Sequence, residues 1–281
     1  MIRRFFGFFV KIIISAVLIV FLVFAWMRWG EPAIITVTDA ELAFDNLPDP
    51  AEGLRIAHFT DTHFGFDYTV GRFEKAVQKM NEFSPHIVVF TGDLFEEYMK
   101  YESDGPGIIE ALSSINAVYG KYAVLGNHDY GREAQAHSIE TLEAGGFTVL
   151  LNESIELERF GIAVTGVDEI LFGKGGDYDF DRLPEDRFNI VLCHEPDIFK
   201  DLAASNVDLM LAGHTHGGQI RVPGIGEIIL PAMGKLYPMG EYSLENARGS
   251  QLFVSRGLGT STLPLRLFCP PEVALLTLGS K

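Results

Sequence analysis

Cysteine is scarce and positive charge is outnumbered. Two cysteines among 281 residues, Cys193 and Cys269, cannot staple a scaffold or build a cysteine zinc site, and whether they pair is left open. Lysine and arginine total 22 against 38 aspartates and glutamates, a formal net charge of −16. With no basic excess to grip a phosphate backbone, no nucleic-acid partner is expected. A Gly-x-Ser-x-Gly elbow, a Walker loop and a Gly-x-Gly-x-x-Gly turn are also missing, so serine hydrolase, NTPase and dinucleotide-binding readings have no support. Asp177-Tyr178-Asp179-Phe180-Asp181 opens with calcium-loop spacing, but Arg182 replaces the required glycine and Phe188 the required glutamate. A hydrophobic content of 47% excludes a disordered chain.

Charge and apolar residues are unevenly distributed. Residues 1–30 carry Arg3, Arg4, Lys11 and Arg28 and no acidic side chain, which leaves 18 basic and 38 acidic residues, a net charge of −20, in residues 31–281. From Phe5 to Met27 the chain is apolar except for Gly7, Lys11 and Ser15, and a bilayer span needs roughly 20 such residues. Trp26 and Trp29 stand at the far end, as interfacial aromatics do. No small-x-small cleavage site follows, so an uncleaved single-pass anchor over residues 1–30 is expected, ahead of a catalytic domain over 31–281. Three of the four leader charges precede most of the span, which puts the N-terminus in the cytoplasm and the domain on the extracytoplasmic side of the cell membrane.

The domain reads as alternating strands and helices. Strands are expected from Ile34 to Phe44, Leu54 to Thr60, Ile87 to Thr91, Tyr122 to Leu125, Phe147 to Leu151, Ile162 to Val167, Asn189 to Cys193 and Leu209 to Ala212. Helical periodicity runs from Phe73 to Phe83 and from about Arg132 to Ala144, and beyond Gly217 only short strands are expected. This order predicts an α/β sandwich with two packed sheets.

Polar residues fall where strands end. Strand 54–60 runs into Asp61-Thr62-His63, strand 87–91 into Gly92-Asp93, and strand 122–125 into Gly126-Asn127-His128-Asp129. Strand 189–193 runs into His194, and strand 209–212 into Gly213-His214-Thr215-His216. Carboxyl ends of strands in an open α/β sheet gather on one edge, where ligands bind. Each block alone is an ordinary turn, but five together bring imidazoles, carboxylates and a carboxamide to one place. Such donors without thiolates suit manganese, iron or zinc. They exceed the needs of one closed ion and fit two ions about 3.5–4 Å apart, able to polarise a phosphoryl group and to activate a water for in-line attack. His58, His86 and His137 fall outside the blocks and read as structural or exposed.

These blocks, in this order, resemble the calcineurin-like metallophosphoesterase superfamily. The resemblance implies a four-layer α/β/β/α sandwich, here preceded by one transmembrane helix. It implies that Asp61, His63 and His216 ligate a first metal, that Asn127, His194 and His214 ligate a second, and that Asp93 bridges them. His128 matches the histidine that contacts the phosphate and acts as general acid, and Asp129 matches the carboxylate that orients it. Two divalent transition-metal ions are implied, manganese first, with metal-bound hydroxide attacking phosphorus directly. Gly217-Gly218-Gln219 and the segment Ser255 to Ser261, followed by Pro264 and Arg266, resemble a bacterial membrane-associated phosphodiesterase branch. The expected substrate is a phosphorylated small molecule or lipid of the cell envelope, with Arg256 and Arg266 as candidate phosphate-binding residues. Two alternatives stay open: a UDP-2,3-diacylglucosamine-type pyrophosphatase at the cytoplasmic face, and a metal-binding membrane protein without catalysis.

Overall fold

The structure, a computed structural model, describes residues 2–65, 67–96, 105–130 and 134–281, with side chains from residue 5 onward. The expected start of the second helix near Arg132 lies outside the described residues. Helix α1 (Ile2–Ala25) continues as a wider turn over Trp26–Gly30 and a 3₁₀ turn over Glu31–Ala33. From Phe5 to Ala33 it is long and apolar enough to cross a membrane, and its most apolar stretch has no part buried against the chain.

Among the described residues two six-stranded sheets follow. In the first, the order is β1 (Thr36–Phe44), β14 (Glu272–Ser280), β2 (Arg55–Phe59), β3 (Ile87–Thr91), β4 (Lys121–Val124) and β5 (Thr148–Val149). The second runs β12 (Gly240–Ser243), β13 (Gln251–Val254), β9 (Leu209–Ala212), β8 (Phe188–Leu192), β7 (Ile162–Gly166) and β6 (Glu153–Leu157). A two-stranded hairpin, β10 (Arg221–Val222) with β11 (Gly226–Glu227), stands apart from both. Strands β2, β3 and β4 are mutually parallel, as are β7, β8 and β9, so each sheet collects its loops at one edge.

The inner faces of the sheets meet in a dry layer that includes Ile56, Val89, Val124, Leu276, Val164, Ile190, Leu211 and Phe253. Continuous apolar runs such as Ile87–Thr91, buried at every position, are what a strand covered on both faces requires. Helices α2 (Val70–Phe83), α3 (Gly105–Ser113) and α4 (Ala134–Ala144) bury Phe73, Met80, Ile108 and Leu142 against the outer face of the first sheet. Thr69 caps α2 by accepting from the Arg72 amide. The outer face of the second sheet packs on Phe199, Leu202 and Leu183, carried by or next to the 3₁₀ turns Pro196–Asp201 and Phe180–Arg182. The fourth layer of the expected sandwich is therefore present in 3₁₀ form.

Several elements differ from expectation. Strand β14 is nine residues long and pairs with β1 in parallel along its whole length, where only short strands were expected. Helix α3 and strand β6 carried too weak a periodicity to be read. Cys193 and Cys269 are both buried and free.

Candidate metal centre

Three of the five strand ends, those of β2, β3 and β9, enter the site through left-handed backbone. Asp61, His63, Asp93, His214 and His216 all have positive φ, between 46° and 70°, a backbone region that non-glycine residues occupy at a cost. Their neighbouring glycines allow close approach. A Cβ on Gly126 would lie 2.3 Å from Asp93 Oδ1, and one on Gly213 would lie 2.4 Å from Asp61 Oδ2.

The side chains meet below a cavity of about 310 Å³ that Asp93, Asn127, His128, His214 and His216 line. One group brings Asp61, His63 and His216 together, and a second brings Asp61, Asp93 and His194 together, each with ligand atoms within 4.8 Å of one another. Asp93 Oδ2 lies 3.4 Å from His63 Nε2 and 3.2 Å from His194 Nε2, between the two halves of the cluster. The His128 amide donates to the other oxygen, Oδ1, at 2.8 Å. Asp61 accepts from the His214 amide and lies 3.3 Å from His216 Nε2.

The histidine rings are held by their far nitrogens. His194 donates through Nδ1 to the Thr91 carbonyl at 2.6 Å, and His214 donates through Nε2 to the Ala232 carbonyl at 2.7 Å. A carbonyl only accepts, so the proton sits on those nitrogens and the opposite ones keep a free lone pair. His63 Nδ1 lies 2.6 Å from Glu96 Oε2, which turns its Nε2 to within 3.0 Å of His216 Nε2.

Charge within the cluster is unbalanced without a cation. Burial alone would lower the pKa of His63, but Asp61, Glu96 and Asp93 override it and push it up to about 10. Burial also opposes protonation of His194, yet Asp93 and Asp61 hold it well above the ordinary value. His216 moves the opposite way, down to about 3, mainly through burial. The carboxylates thus favour the protonated forms of His63 and His194, a positive charge that a divalent ion would supply in their place. Asn127 Oδ1 is buried without a hydrogen-bond partner among the described residues. Unsatisfied buried acceptors of this kind cost stability unless a cation takes them up, so the residues fit the ions expected of them.

Three expectations need revision. Asp129 does not touch the His128 ring. Its oxygens accept from the amides of Asp93, Leu94 and Gly126 and from the Ser138 hydroxyl, so it ties the loops after β3 and β4 to helix α4. Glu96 stands beside the histidine instead, with Oε2 3.3 Å from His128 Nδ1. Burial would raise the Glu96 pKa, but His63 and His128 hold it at about 2. The residue was missed because the signal, a carboxylate three positions after Asp93, is weak alone. Arg266 is fully buried and donates to the carbonyls of Arg256, Gly257, Gly259 and Cys269, so its guanidinium has no free edge for a phosphate. Arg256 pairs with Glu272, its Nε 2.7 Å from Oε2, and neither arginine lines the cavity. Glu195, also unread from the sequence, lies within 4.8 Å of His194 and His214, its carboxyl pushed well up by burial.

Comparison with known proteins covers the same residues. A family model described as calcineurin-like phosphoesterase matches residues 54–218, from the residue before β2 to just past His216. The chain is 34% identical over 262 residues to the uncharacterized metallophosphoesterase YkuE of Bacillus subtilis (strain 168), covering 92% of this chain and 90% of the relative. It is 31% identical over 264 residues to the phosphodiesterase YaeI of Escherichia coli (strain K12), covering 91% and 92% respectively. An uncharacterized metallophosphoesterase of Aquifex aeolicus (strain VF5) is 30% identical over 258 residues, covering 89% and 94%. With the matched stretch spanning all five strand ends and their buried donors, the chain belongs to the calcineurin-like phosphoesterase family and is a metal-dependent phosphoesterase.

Proposed function

We propose that the protein is a membrane-anchored phosphodiesterase with two divalent ions, hydrolysing small or lipid-linked phosphodiesters of the cell envelope. The observation that carries the two-ion reading is the position of Asp93, one carboxylate within 3.4 Å of His63 and 3.2 Å of His194. Asp61, His63 and His216 would hold one ion and Asn127, His194 and His214 the other, with Asp93 available to both. Nitrogen and oxygen donors without thiolate favour manganese, then iron or zinc. When bound, the ions supply Lewis acidity to the phosphoryl oxygens and make a water nucleophilic at neutral pH.

The chain's own groups orient and transfer protons. Glu96 holds His128 through Nδ1, which leaves Nε2, 3.3 Å from the Ser261 hydroxyl, at the cavity. In its protonated form that nitrogen gives a proton to the departing alkoxide. Asp129 fixes the Asp93 and Asn127 loops on either side, so the distance between donor and leaving group is set by backbone. The name of the E. coli relative supports a diester over a monoester. Helix α1 supports a single-pass anchor, and Arg3, Arg4 and Lys11 ahead of most of the span favour residues 31–281 outside the cytoplasm, which a reporter fused after Lys281 tests by its compartment-dependent activity.

Full-length protein is stripped with chelator, reloaded with manganese, zinc or iron, and assayed on bis-p-nitrophenyl phosphate and p-nitrophenyl phosphate. Two ions per chain and preferential diester turnover are expected. Asp93→Asn should lower turnover by on the order of 10³-fold and reduce metal content. Equal activity without metal would overturn the proposal.

A further inference from the structure

Helix α1 is clasped to the domain at the end of the segment that forms one wall of the cavity. The Arg266 amide donates to the Met27 carbonyl at 2.9 Å, and the Cys269 amide to Glu31 Oε1 at 2.5 Å. Trp26 Nε1 donates to the other oxygen of the buried Glu31 at 3.0 Å, and Arg28 pairs with Asp67 at 2.7 Å. No slack linker separates anchor from domain, so the helix fixes which face of the domain meets its bilayer.

That face includes two hydrogen-bonded segments. Leu267 donates to the Gln219 carbonyl and accepts from the Arg221 amide, which joins residues 263–269 to the β10–β11 hairpin. Both segments expose large apolar side chains. Ile225, in the hairpin turn, is 77% exposed, and Phe268 is 60% exposed; Ile228, Ile229 and Leu263 are exposed as well and line the cavity. Phe268 has φ of 53°, a costly conformation for a bulky residue, with its ring left in solvent. Charge is distributed to match. In a domain of net −20, residues 219–239 and 261–270 hold one carboxylate, Glu227, which Arg221 pairs at 3.0 Å, and beyond the buried Arg266 that leaves Lys235 as their unmatched charge. Apolar side chains with little acidic charge beside a membrane helix suit an anionic lipid surface.

We propose that the 223–229 turn and the Leu263–Phe268 segment rest in the lipid surface that α1 crosses, so that the cavity opens onto the bilayer. The substrate class is then an amphiphile whose phosphoester reaches the metal centre while its apolar chain stays along Ile228, Ile229 and Leu263 or in the lipid. This deepens the phosphodiesterase reading and rests on it for the identity of the reacting group.

The test uses full-length protein in phosphatidylcholine–phosphatidylglycerol vesicles. A nitroxide on Ile225→Cys should collide with oxygen more than with a water-soluble nickel complex, as a label within α1 does. A water-like ratio would overturn the docking, and spin–spin broadening would place a second copy on this face and overturn it too. The double variant Ile225→Asp/Phe268→Asp should keep bis-p-nitrophenyl phosphate turnover within about twofold. It should lose about tenfold or more on hexadecyl p-nitrophenyl phosphate embedded in the same vesicles, since the two side chains no longer enter hydrocarbon. Equal loss on both esters, or none on either, would overturn lateral entry. If the parent chain hydrolyses neither ester, the phosphodiesterase reading fails, while the nitroxide depth still decides the docking.

Discussion

The floor and the wall of the cavity are built on opposite principles. Floor residues Asp61, His63, Asp93, His194 and His214 sit at the ends of strands, are buried, and are tied to backbone or to one another by hydrogen bonds and charge contacts of 2.6–3.4 Å. The wall, Ile220, Ile228, Ile229 and Leu263, comes from short hairpin and loop segments, and most of it is exposed. Rigid strand ends preserve a geometry that must hold to a fraction of an ångström, whereas a loop wall sets which molecule is admitted. Changes in the floor should therefore alter turnover of every ester, and changes in the wall only the choice among them.

The strongest test removes the proton donor. His128→Ala should lower kcat by about 10²–10⁴-fold on alkyl diesters while both metals stay bound. The loss should shrink on p-nitrophenyl esters, whose leaving group needs no proton; an equal loss on both would return His128 to a purely positional role.

Removing the buried arginine probes the boundary between floor and wall. Arg266→Leu strands several carbonyls, so it should cost roughly 3 kcal/mol in chemical denaturation. The fraction still folded should keep its KM for bis-p-nitrophenyl phosphate. A large rise in KM with stability intact would make Arg266 a phosphate ligand after all.

Glu96→Gln should cost about 10–100-fold in activity or metal affinity, because one carboxylate serves both His63 and His128. It also carries a pH signature. In the metal-free chain His63 is raised from 6.5 to about 10, so its contribution to stability is complete below pH 6.5 and is lost as pH climbs towards 10. Melting temperature in chelator should fall across that window in the parent chain. The window should end at lower pH in Glu96→Gln, where one of the raising carboxylates is gone.

The smallest effect belongs to the wall. Leu263→Ser should raise KM for an alkyl diester about threefold and leave kcat on bis-p-nitrophenyl phosphate unchanged.

Much of the floor could be read from residue order, because each donor directly follows an apolar strand and strands of one parallel sheet end at one edge. The same logic explains the good agreement at β3 and β9, whose run lengths and bounds are marked by polar residues on both sides. The misses have one cause. Helix α3 begins Gly-Pro-Gly and carries few polar positions to mark a face, and β6 (Glu-Ser-Ile-Glu-Leu) is a short edge strand with only Ile155 and Leu157 as apolar positions. Neither carries its own signal; each is shaped by what it packs against.

The sequence by itself determined the metal chemistry, since donor type and strand-end position follow from local pattern alone. It also determined the apolar leader, because a bilayer reads length and composition. Only the tertiary structure decided which carboxylate serves His128, because Asp129 is its neighbour in sequence while Glu96 belongs to a different loop, and only the turn after β3 brings Glu96 to the ring. Tertiary structure likewise buried Arg266 under four carbonyls and joined the cavity wall to the end of α1. Those contacts link residues up to about 240 positions apart, and pairings at that separation are set by how the sheets and loops pack, not by any local preference of the chain.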